Sequence, residues 1–267
     1  MRIYEIITCF FIYAILGWCA EVAFAAVKER KFINRGFLNG PICPIYGFGV
    51  LAVTVILNGY QDNLVLLFVM SLVVATALEW MTGFLLEKLF HHKWWDYSDM
   101  RWNIQGYICP LFSLLWGIAC VFVVKLVHPF VMKLVHLMPK MVGELILLLV
   151  FLGFVADLYV TIHEILKLNV RLSRMQEIAD ELTNISEHLG ENLSRNVING
   201  VERQENIKEK VEERYRDYME DISYTGKRLL EAFPKMESTR YRQQLRDVKQ
   251  YLAKSRLAKR LKNRKRS

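Results

Sequence analysis

Five apolar runs, most of them close to the length of a membrane-spanning helix, constrain this 267-residue chain more than any other feature. The hydrocarbon core of a bilayer is about 30 Å thick, and roughly 20 helical residues cross it. The runs cover residues 3–27, 42–57, 64–86, 107–124 and 142–166, of which the second is the shortest. We therefore predict an all-α, polytopic membrane domain over residues 1–167, with about five transmembrane helices. Residues 168–267 are mostly charged and are predicted to form a cytoplasmic helical region.

The first half of the chain contains an internal repeat. Two triplets of Glu, Glu and Phe share spacings of eight and three residues, and a Gly-x-Ile-Cys-Pro pattern follows each of them. The triplets are Glu21, Glu29 and Phe32, and Glu79, Glu87 and Phe90. The motif residues are Gly40, Cys43 and Pro44 in the first copy, and Gly106, Cys109 and Pro110 in the second. We predict two parallel helix–loop–helix repeats, over about 12–58 and 70–124, and a fifth helix over about 142–166.

Basic residues in the short loops predict the orientation, because Lys and Arg are enriched on the cytoplasmic side of a membrane. The basic residues of the loop after the first run are Lys28, Arg30, Lys31 and Arg35. The loop over residues 59–63 has none. We expect a multi-pass plasma-membrane protein with its amino terminus outside and its carboxyl terminus in the cytoplasm. Lysines at positions 125, 133 and 140 disagree with an external loop there, and an interfacial amphipathic helix would accommodate them.

Each repeat places one acidic residue inside an apolar run, namely Glu21 in the first run and Glu79 in the third. An ionised group in lipid costs from about 3 to more than about 10 kcal/mol unless it faces protein or water and finds a partner. The two acids therefore either share a polar site or hold loop donors in a structural role. Asp157 in the fifth run has no counterpart in the repeat, and a helix-packing hydrogen bond would account for it.

The loops that follow the acids contain further candidates for a polar site. Arg35 in the first loop can hold a carboxylate or phosphate through two hydrogen bonds. Eight residues inserted after Phe90 enlarge the second loop. Anchoring at the membrane interface explains its tryptophans, but it does not explain the Asp and Asn among them. The candidate polar site comprises Glu21, Arg35, Asn39, Glu79, Trp95, Asp96, Tyr97 and Asn103. A tight re-entrant turn without a ligand is the alternative.

Neither a metal nor a cofactor is expected. His91 and His92 are adjacent on a predicted helix and so point in different directions, and no third ligand is spaced to join them. The five cysteines form no CxxC pair, so we expect free thiols.

Several of these motifs together resemble one family of bacterial membrane proteins. Two runs are long and unusual, Asn34-Arg35-Gly36-Phe37-Leu38 and Trp94-Trp95-Asp96-Tyr97-Ser98, and they occur together with the two acids and the Cys-Pro pairs. Over about residues 5–160 the chain is similar to the putative ABC-transporter type IV, or CmpB-like, family. Where that family has Asn-Gly-Arg-Ile-Cys in the second loop, this chain has Tyr107 in place of the Arg. A mechanism with a basic residue in both repeats is therefore not expected.

The resemblance implies a transport permease of unknown substrate. From the residues themselves we expect its polar site to lie beneath Glu21 and Glu79, with Arg35 binding an anionic group. The chain has no Gly-x-x-x-x-Gly-Lys-Ser/Thr loop to bind phosphates, so an ATPase partner would be a separate subunit. Five helices are few for a pathway, so we expect a homodimer or another partner. One alternative is a membrane-embedded enzyme that uses Glu21 or Glu79 as general acid or base on a lipid-linked substrate. Another is a membrane scaffold that recruits partners through its helical tail.

The charged region has apolar residues at alternating steps of three and four, which predicts a helix with a coiled-coil seam. The seam comprises Leu172, Met175, Ile178, Leu182, Ile185, Leu189 and Leu193, with later members at Val197, Val201, Val211 and Tyr215. The basic tail comprises Lys254, Arg256, Lys259, Arg260, Lys262, Arg264, Lys265 and Arg266. Such a cluster attracts anionic lipid by roughly 1 kcal/mol per charge, and a merely solvated tail is the alternative. Nucleic acid is not expected as a partner, because no stacking aromatic residues interleave with the charges.

Overall fold

The computed structural model describes residues 2–60, 62–192 and 199–264, with side chains except at 58, 186–192, 199–207 and 256–264. Most of these residues are helical, with short strands at His92–Lys93 (β1) and Glu237–Ser238 (β2). The chain forms two compact units. The first comprises Met1–Ile162 and Glu231–Met236, and the second comprises His163–Leu230 and Glu237–Ser267. The predicted all-α class is therefore confirmed.

Four helical stretches of the described chain are long and apolar enough to cross a membrane. They are Ile3–Glu29 (α1), Leu64–Phe90 (α3), Pro110–Leu137 and Lys140–Ile185. Between the first two lies Pro44–Ile56 (α2), which is apolar but has only 13 residues. At 1.5 Å per residue α2 covers about 20 Å of a core that is about 30 Å thick. The polytopic membrane fold is confirmed, and α2 is the one predicted span that is too short to cross as a helix.

The helices α1 and α3 have the same length and end in the same way. Each has 27 residues. The residue after α1 is Arg30, with a φ of 52°, and the residue after α3 is His91, with a φ of 57°. The chain therefore leaves both helices through a left-handed residue, which turns the backbone sharply into the following loop.

The helices α2 and Pro110–Phe122 (α4) also begin alike. A proline occupies the first turn of each, where no N–H is needed, and an extended cysteine, Cys43 or Cys109, precedes it. The Cys43 N–H donates to the Ala14 carbonyl at 2.9 Å, which ties the start of α2 to the middle of α1. Because α1 packs along α2 and α3 packs along α4, we call residues 3–56 the first hairpin and residues 64–122 the second hairpin.

The helix that starts as α4 continues through a π-helical turn, Val123–Val127, into His128–Leu137 (α5). Pro129 lies just after this turn and has no N–H to bond the carbonyl four residues earlier, so the helix widens there. The sequence predicts an interfacial amphipathic helix over this lysine-containing segment. The structure has a helix there, but this helix is the second part of the 28-residue apolar stretch Pro110–Leu137 and is not a separate surface element.

Within the described residues, three apolar clusters lie in the core of the first unit. One joins α1 to the first loop and comprises Phe11, Ala14, Leu38 and Ile42. One joins α1 to α5 and comprises Cys9, Tyr13, Val131 and Val135. The third comprises Val53, Leu57, Leu67 and Val124 from α2, α3 and the π-helical turn. Part of the first loop therefore lies in the hydrophobic core, which holds that loop against α1.

Residues 231–236 also belong to the first unit. The Glu231 carboxylate forms an ion pair with Lys31 at 2.7 Å. The Phe233 ring packs edge-on against Trp94, with centroids 5.0 Å apart. A short segment from late in the chain thus packs on residues that follow α1 and α3.

The second unit is built from the later part of Lys140–Asn192 (α6) together with Asn199–Glu220 (α7), Tyr224–Ala232 (α8) and Arg242–Arg264 (α9). α6 runs without a break from the last apolar run into the charged region. Its residues Leu168, Leu172, Met175 and Ile178 are buried, as are Val211 of α7 and Leu245 and Val248 of α9. Tyr215 of α7 donates its hydroxyl to Asp247 of α9 at 2.6 Å. These contacts hold the helices of this unit together.

Part of the predicted tail lies outside the residues that the structure describes. This part comprises Leu193 and Val197, the side chains of Leu189 and Val201, and the basic side chains from Arg256 onward. Coiled-coil pairing and lipid binding by the tail stay predictions.

Candidate functional site

Glu21 of α1 is bound from two sides. Tyr46 of α2 donates its hydroxyl to Glu21 Oε1 at 2.6 Å, and Arg35 Nε of the first loop lies 3.2 Å from Oε2. The side chains of the ion pair are partly buried, with 29% of Arg35 and 26% of Glu21 exposed. The guanidinium also lies over the Phe24 ring, 5.6 Å from its centroid. The arginine that the sequence predicts as an anion ligand therefore has a carboxylate of its own chain as partner.

Glycines at the crossing of α1 and α2 position Tyr46. Gly17 lies one turn before Glu21, and a Cβ at this position would overlap the Tyr46 ring. Gly47 of α2 faces α1 in the same way, and a Cβ there would lie 2.6 Å from a ring carbon of Phe10. Small residues let two helix backbones approach closely. The two glycines therefore allow the Tyr46 hydroxyl to reach the carboxylate.

Glu79 of α3 is more deeply buried than Glu21, with 8% of the residue exposed. The Tyr97 hydroxyl of the second loop donates to Glu79 Oε1 at 3.4 Å, and the indole of Trp116 in α4 faces the same carboxyl. Among the residues that the structure describes, no basic side chain forms an ion pair with Glu79. The second acid is therefore held by neutral hydrogen-bond donors.

Tyr97 compensates for a difference between the two hairpins. When the hairpins are aligned on their Cys-Pro pairs, the position of Tyr46 is occupied by Phe112, which has no hydroxyl. Tyr97 stacks on Phe112, with ring centroids 4.8 Å apart and planes at 21°, and its hydroxyl reaches Glu79. The hydroxyl that the first hairpin supplies from its second helix thus comes from the loop in the second hairpin.

The two acids lie in one neighbourhood. Burial raises the pKa of Tyr97, the charge of Glu79 and the hydrogen bond to it raise this pKa further, and the charge of Glu21 does so as well. The Trp116 ring packs edge-on against Tyr46, with centroids 5.6 Å apart. We call this group the two-acid cluster: Glu21, Arg35, Tyr46, Glu79, Tyr97 and Trp116. Four of its members are residues that the sequence predicts.

Asn39 and the backbone of the first loop are bound by Asp157 of α6. Asp157 Oδ1 accepts hydrogen bonds from the Asn39 N–H at 3.1 Å and its side-chain amide at 2.9 Å, and Oδ2 accepts the Gly40 N–H at 2.7 Å. The Thr161 hydroxyl donates to Oδ1 at 3.3 Å. The sequence predicts a helix-packing role for Asp157, whereas the structure shows that it holds the loop. A lone acid in an apolar run was the signal, but its partners lie 117 and 118 residues away.

Asp96 closes a turn in the second loop. Its Oδ1 accepts the Ser98 N–H at 3.0 Å and the Ser98 hydroxyl at 2.6 Å, and it lies 3.1 Å from Lys93 Nζ. Burial raises the pKa of Asp96, but the Ser98 hydrogen bonds and the Lys93 charge outweigh burial and hold this pKa below its usual range. Asp96 is therefore an ionised part of the loop structure.

Trp95 and Asn103 also bind within the second loop. The Trp95 indole donates to the Tyr107 carbonyl at 2.8 Å. Asn103 donates to the Met100 carbonyl at 2.7 Å, and its Oδ1 accepts the Gly106 N–H at 3.0 Å. Gly106 has a φ of 73°, a conformation that favours glycine. The second loop is therefore held by polar partners of its own, whereas the first loop is held both by its own Asn34 and by Asp157 of α6.

The motif cysteines lie at the starts of the second helices of both hairpins. Cys43 and Cys109 are buried, and neither forms a disulfide bond. Across the residues that the structure describes, no group of three or more His, Cys, Asp and Glu side chains is placed to hold a metal ion.

A comparison with protein-family models matches residues 8–162 to the model described as "Putative ABC-transporter type IV". The matched range contains the whole two-acid cluster, both loops and Asp157. No curated protein and no solved structure matches the chain.

Proposed function

Because the chain belongs to the putative ABC-transporter type IV family, we propose that it is the membrane-spanning component of a transporter and that its substrate contacts the two-acid cluster. The family and the four apolar spans support a membrane component of a transport system. The convergence of polar groups around Glu21 and Glu79 supports the position of the site.

The observation behind the site is that two acids from two different apolar helices share one neighbourhood. Each would cost several kcal/mol if it faced lipid as an ion, because the hydrocarbon core solvates charge poorly. Here two acids, an arginine, two tyrosine hydroxyls and an indole converge from α1, the first loop, α2, α3, the second loop and α4.

Energy for transport would come from a second subunit. The sequence has no phosphate-binding loop of the Gly-x-x-x-x-Gly-Lys-Ser/Thr type, so we assign ATP hydrolysis to a separate ATPase. Purification of the tagged chain in mild detergent, followed by an ATPase assay, tests this part. ATP hydrolysis that copurifies with the chain and is lost on high-salt washing would support a bound subunit.

Complementation tests the site. A strain that lacks the gene is supplied with the wild type, Glu21→Gln, Arg35→Ala or the control Glu87→Gln. Glu87 lies on α3 like Glu79 and also accepts a tyrosine hydroxyl, from Tyr107 at 2.7 Å. We expect the first two variants to lose the transport phenotype and the control to retain it.

Membrane abundance decides how that result is interpreted. An immunoblot of washed membranes should show all the variants at the level of the wild type. Full complementation by both site variants would remove the cluster from the transport pathway. Failure of both site variants to accumulate would assign Glu21 and Arg35 a structural role.

The orientation belongs to the same proposal. An external amino terminus and a cytoplasmic carboxyl terminus fit the basic loop after α1, provided that α2 and its non-helical flanks together cross the membrane. The test uses a chain whose own cysteines are replaced by serine and which carries a single new cysteine at position 31 or 62. A membrane-impermeant maleimide should label the two positions from opposite sides of the membrane. Labelling of both from one side would place α2 as a re-entrant helix.

Two finer expectations also stay proposals, namely a homodimer and binding of anionic lipid by the basic tail. Crosslinking in native membranes tests the first, because a dimer gives a crosslinked band at twice the monomer mass. For the binding of anionic lipid, residues 254–267 are attached to a soluble carrier. Flotation of this carrier is compared between vesicles of phosphatidylcholine alone and vesicles that also contain phosphatidylserine. Equal flotation with both vesicles would show that the tail is merely solvated.

A further inference from the structure

An ionised Glu79 would carry a negative charge that no basic side chain in the described part of the chain balances. The residue is 8% exposed, and its Oε2 is buried without a hydrogen bond. The one hydroxyl that reaches Oε1, from Tyr97, does so at a long 3.4 Å. A buried carboxylate in this state calls for a positive charge, because burial shields it from bulk solvent and no basic side chain of the described residues pairs with it.

The titratable groups around Glu79 do not supply that charge. α1 and the first loop contribute Glu21 and Arg35, which neutralise each other at 3.2 Å. The second loop contributes the Tyr97 hydroxyl, and α4 contributes the Trp116 indole, and both are neutral donors.

Two further groups of the second loop are accounted for in the same way. Cys109 lies near Tyr97 as a free thiol and adds no positive charge. Lys93 is paired with Asp96 at 3.1 Å. With Glu79 ionised, the cluster would therefore carry one uncompensated negative charge, at Glu79.

Two aromatic side chains, Tyr97 and Trp116, contact the same carboxyl through their polar edges. Each of them packs on a second ring, Tyr97 on Phe112 and Trp116 on Tyr46. Aromatic rings attract cations, and tryptophan does so most strongly. A carboxylate among aromatic side chains is a combination that recognises ammonium groups whose nitrogen carries carbon substituents.

We propose that Glu79 is the binding site for one monovalent cation, which is a proton in the absence of ligand and an organic ammonium ion when the substrate is bound. This inference rests on the proposed function and names a substrate class for it. The exchange balances in atoms and charge. The ammonium ion enters as a cation, the O–H bond of the carboxylic acid breaks, and the proton leaves to water.

Infrared spectroscopy of the full-length protein in detergent at pH 7 tests the bound proton. The wild type should show a carboxylic acid C=O band that is absent from Glu79→Gln and present in Glu21→Gln. A wild type without this band, or a band that persists in Glu79→Gln, would overturn the proton-bound state.

Proton release tests the exchange. Tetramethylammonium chloride is added to the weakly buffered protein, with NaCl at equal concentration as the ionic control. The wild type and Glu87→Gln should release about one proton per chain, and Glu79→Gln should release none. No release from the wild type overturns the exchange, and equal release with NaCl overturns the assignment to an organic ammonium ion.

A milder variant covers the case in which Glu79→Gln does not accumulate. Trp116→Phe should raise the tetramethylammonium concentration for half-maximal release roughly fivefold, because the indole is the stronger cation–π partner. An unchanged midpoint would exclude the ring from the site. Proton release with no transport phenotype would contradict the proposed function alone, whereas transport without proton release would contradict this inference alone.

Discussion

The first and second hairpins solve the same electrostatic problem in different ways. The first neutralises Glu21 with an arginine of its loop and a tyrosine of its second helix. The second buries Glu79 more deeply, beside a tyrosine of its loop and a tryptophan of its second helix, with no cation from its own residues. The charge of Glu21 is thus balanced by a residue of the same chain, whereas Glu79 is left to bind a cation from outside the chain.

The loops of the two hairpins also differ in where their hydrogen-bond partners come from. The first loop is short, and its backbone is bound by Asp157, from a helix outside both hairpins. The second loop is longer and binds itself through Asp96 and Asn103. The longer loop therefore gives the second hairpin turns closed by Asp96 and Asn103, and the hydroxyl of Tyr97, which Phe112 lacks.

The largest expected effect is at the helix crossing of the first hairpin. Gly17→Ala forces a Cβ into the inner atoms of the Tyr46 ring, which cannot move without shifting α2, so we expect a loss of about 3 kcal/mol. Gly83→Ala meets Cδ1 of the Tyr107 ring at 2.9 Å, a milder overlap than that at position 17, and should cost less. Gly49→Ala has open space and is the matched control. Thermal midpoints in detergent measure all three, and equal losses at 17 and 83 would contradict the difference.

Removal of the loop anchor comes next. Asp157→Ala leaves the N–H groups of Asn39 and Gly40 without their acceptor, so we expect a loss of about 2 kcal/mol. Hydrogen exchange should rise in residues 34–43 and stay unchanged in residues 94–106. Similar changes in both loops would show that the second loop also depends on α6.

The ion pair has a smaller effect, because both side chains are partly exposed. Arg35→Gln leaves the Glu21 carboxylate without its cation, and we expect a loss of about 1.5 kcal/mol, between the values for surface and buried pairs. The double variant with Glu21→Gln should recover part of this loss. A double variant that loses as much as the sum of the two single variants would mean that the pair does not interact.

Removal of single hydroxyls compares the two tyrosines directly. Tyr46→Phe should cost about 1.5 kcal/mol, because its hydroxyl bonds a charged carboxylate at 2.6 Å. Tyr97→Phe removes a 3.4 Å bond and should cost less. Thermal midpoints of the two variants check the order, and a larger loss for Tyr97→Phe would contradict the weaker hold on Glu79.

The smallest effect is a pH dependence confined to the second loop. The folded-state pKa of Asp96 is lowered, so its stabilisation is present above its unfolded pKa of about 3.9 and is lost as pH falls through the folded value. Asn34, which accepts the Gly36 N–H in the first loop, is neutral and has no such dependence. Hydrogen exchange in residues 94–106 should increase on acidification in the wild type, and Asp96→Asn should remove that change.

The helices and their ends were the predictable part of this protein. Apolar length, a proline in a first turn and the two lone acids are properties of short stretches, so the positions of α1, α3 and the Cys-Pro helix starts follow from them. The extent of α2 did not follow, because a short apolar run does not show where a helix gives way to loop. Neither did the join of α4 to α5, since the lysines of that segment predicted a separate helix.

By itself the sequence determined that this is a helical membrane protein of one family, with an acid inside each of two apolar helices. Only the tertiary structure decided how each acid is balanced. It paired Arg35 with Glu21, placed Tyr97 where Phe112 has no hydroxyl, and brought Asp157 to the first loop. The physical reason is that hydropathy acts residue by residue, whereas the neutralisation of a buried charge depends on which distant donors the packing brings within about 3 Å.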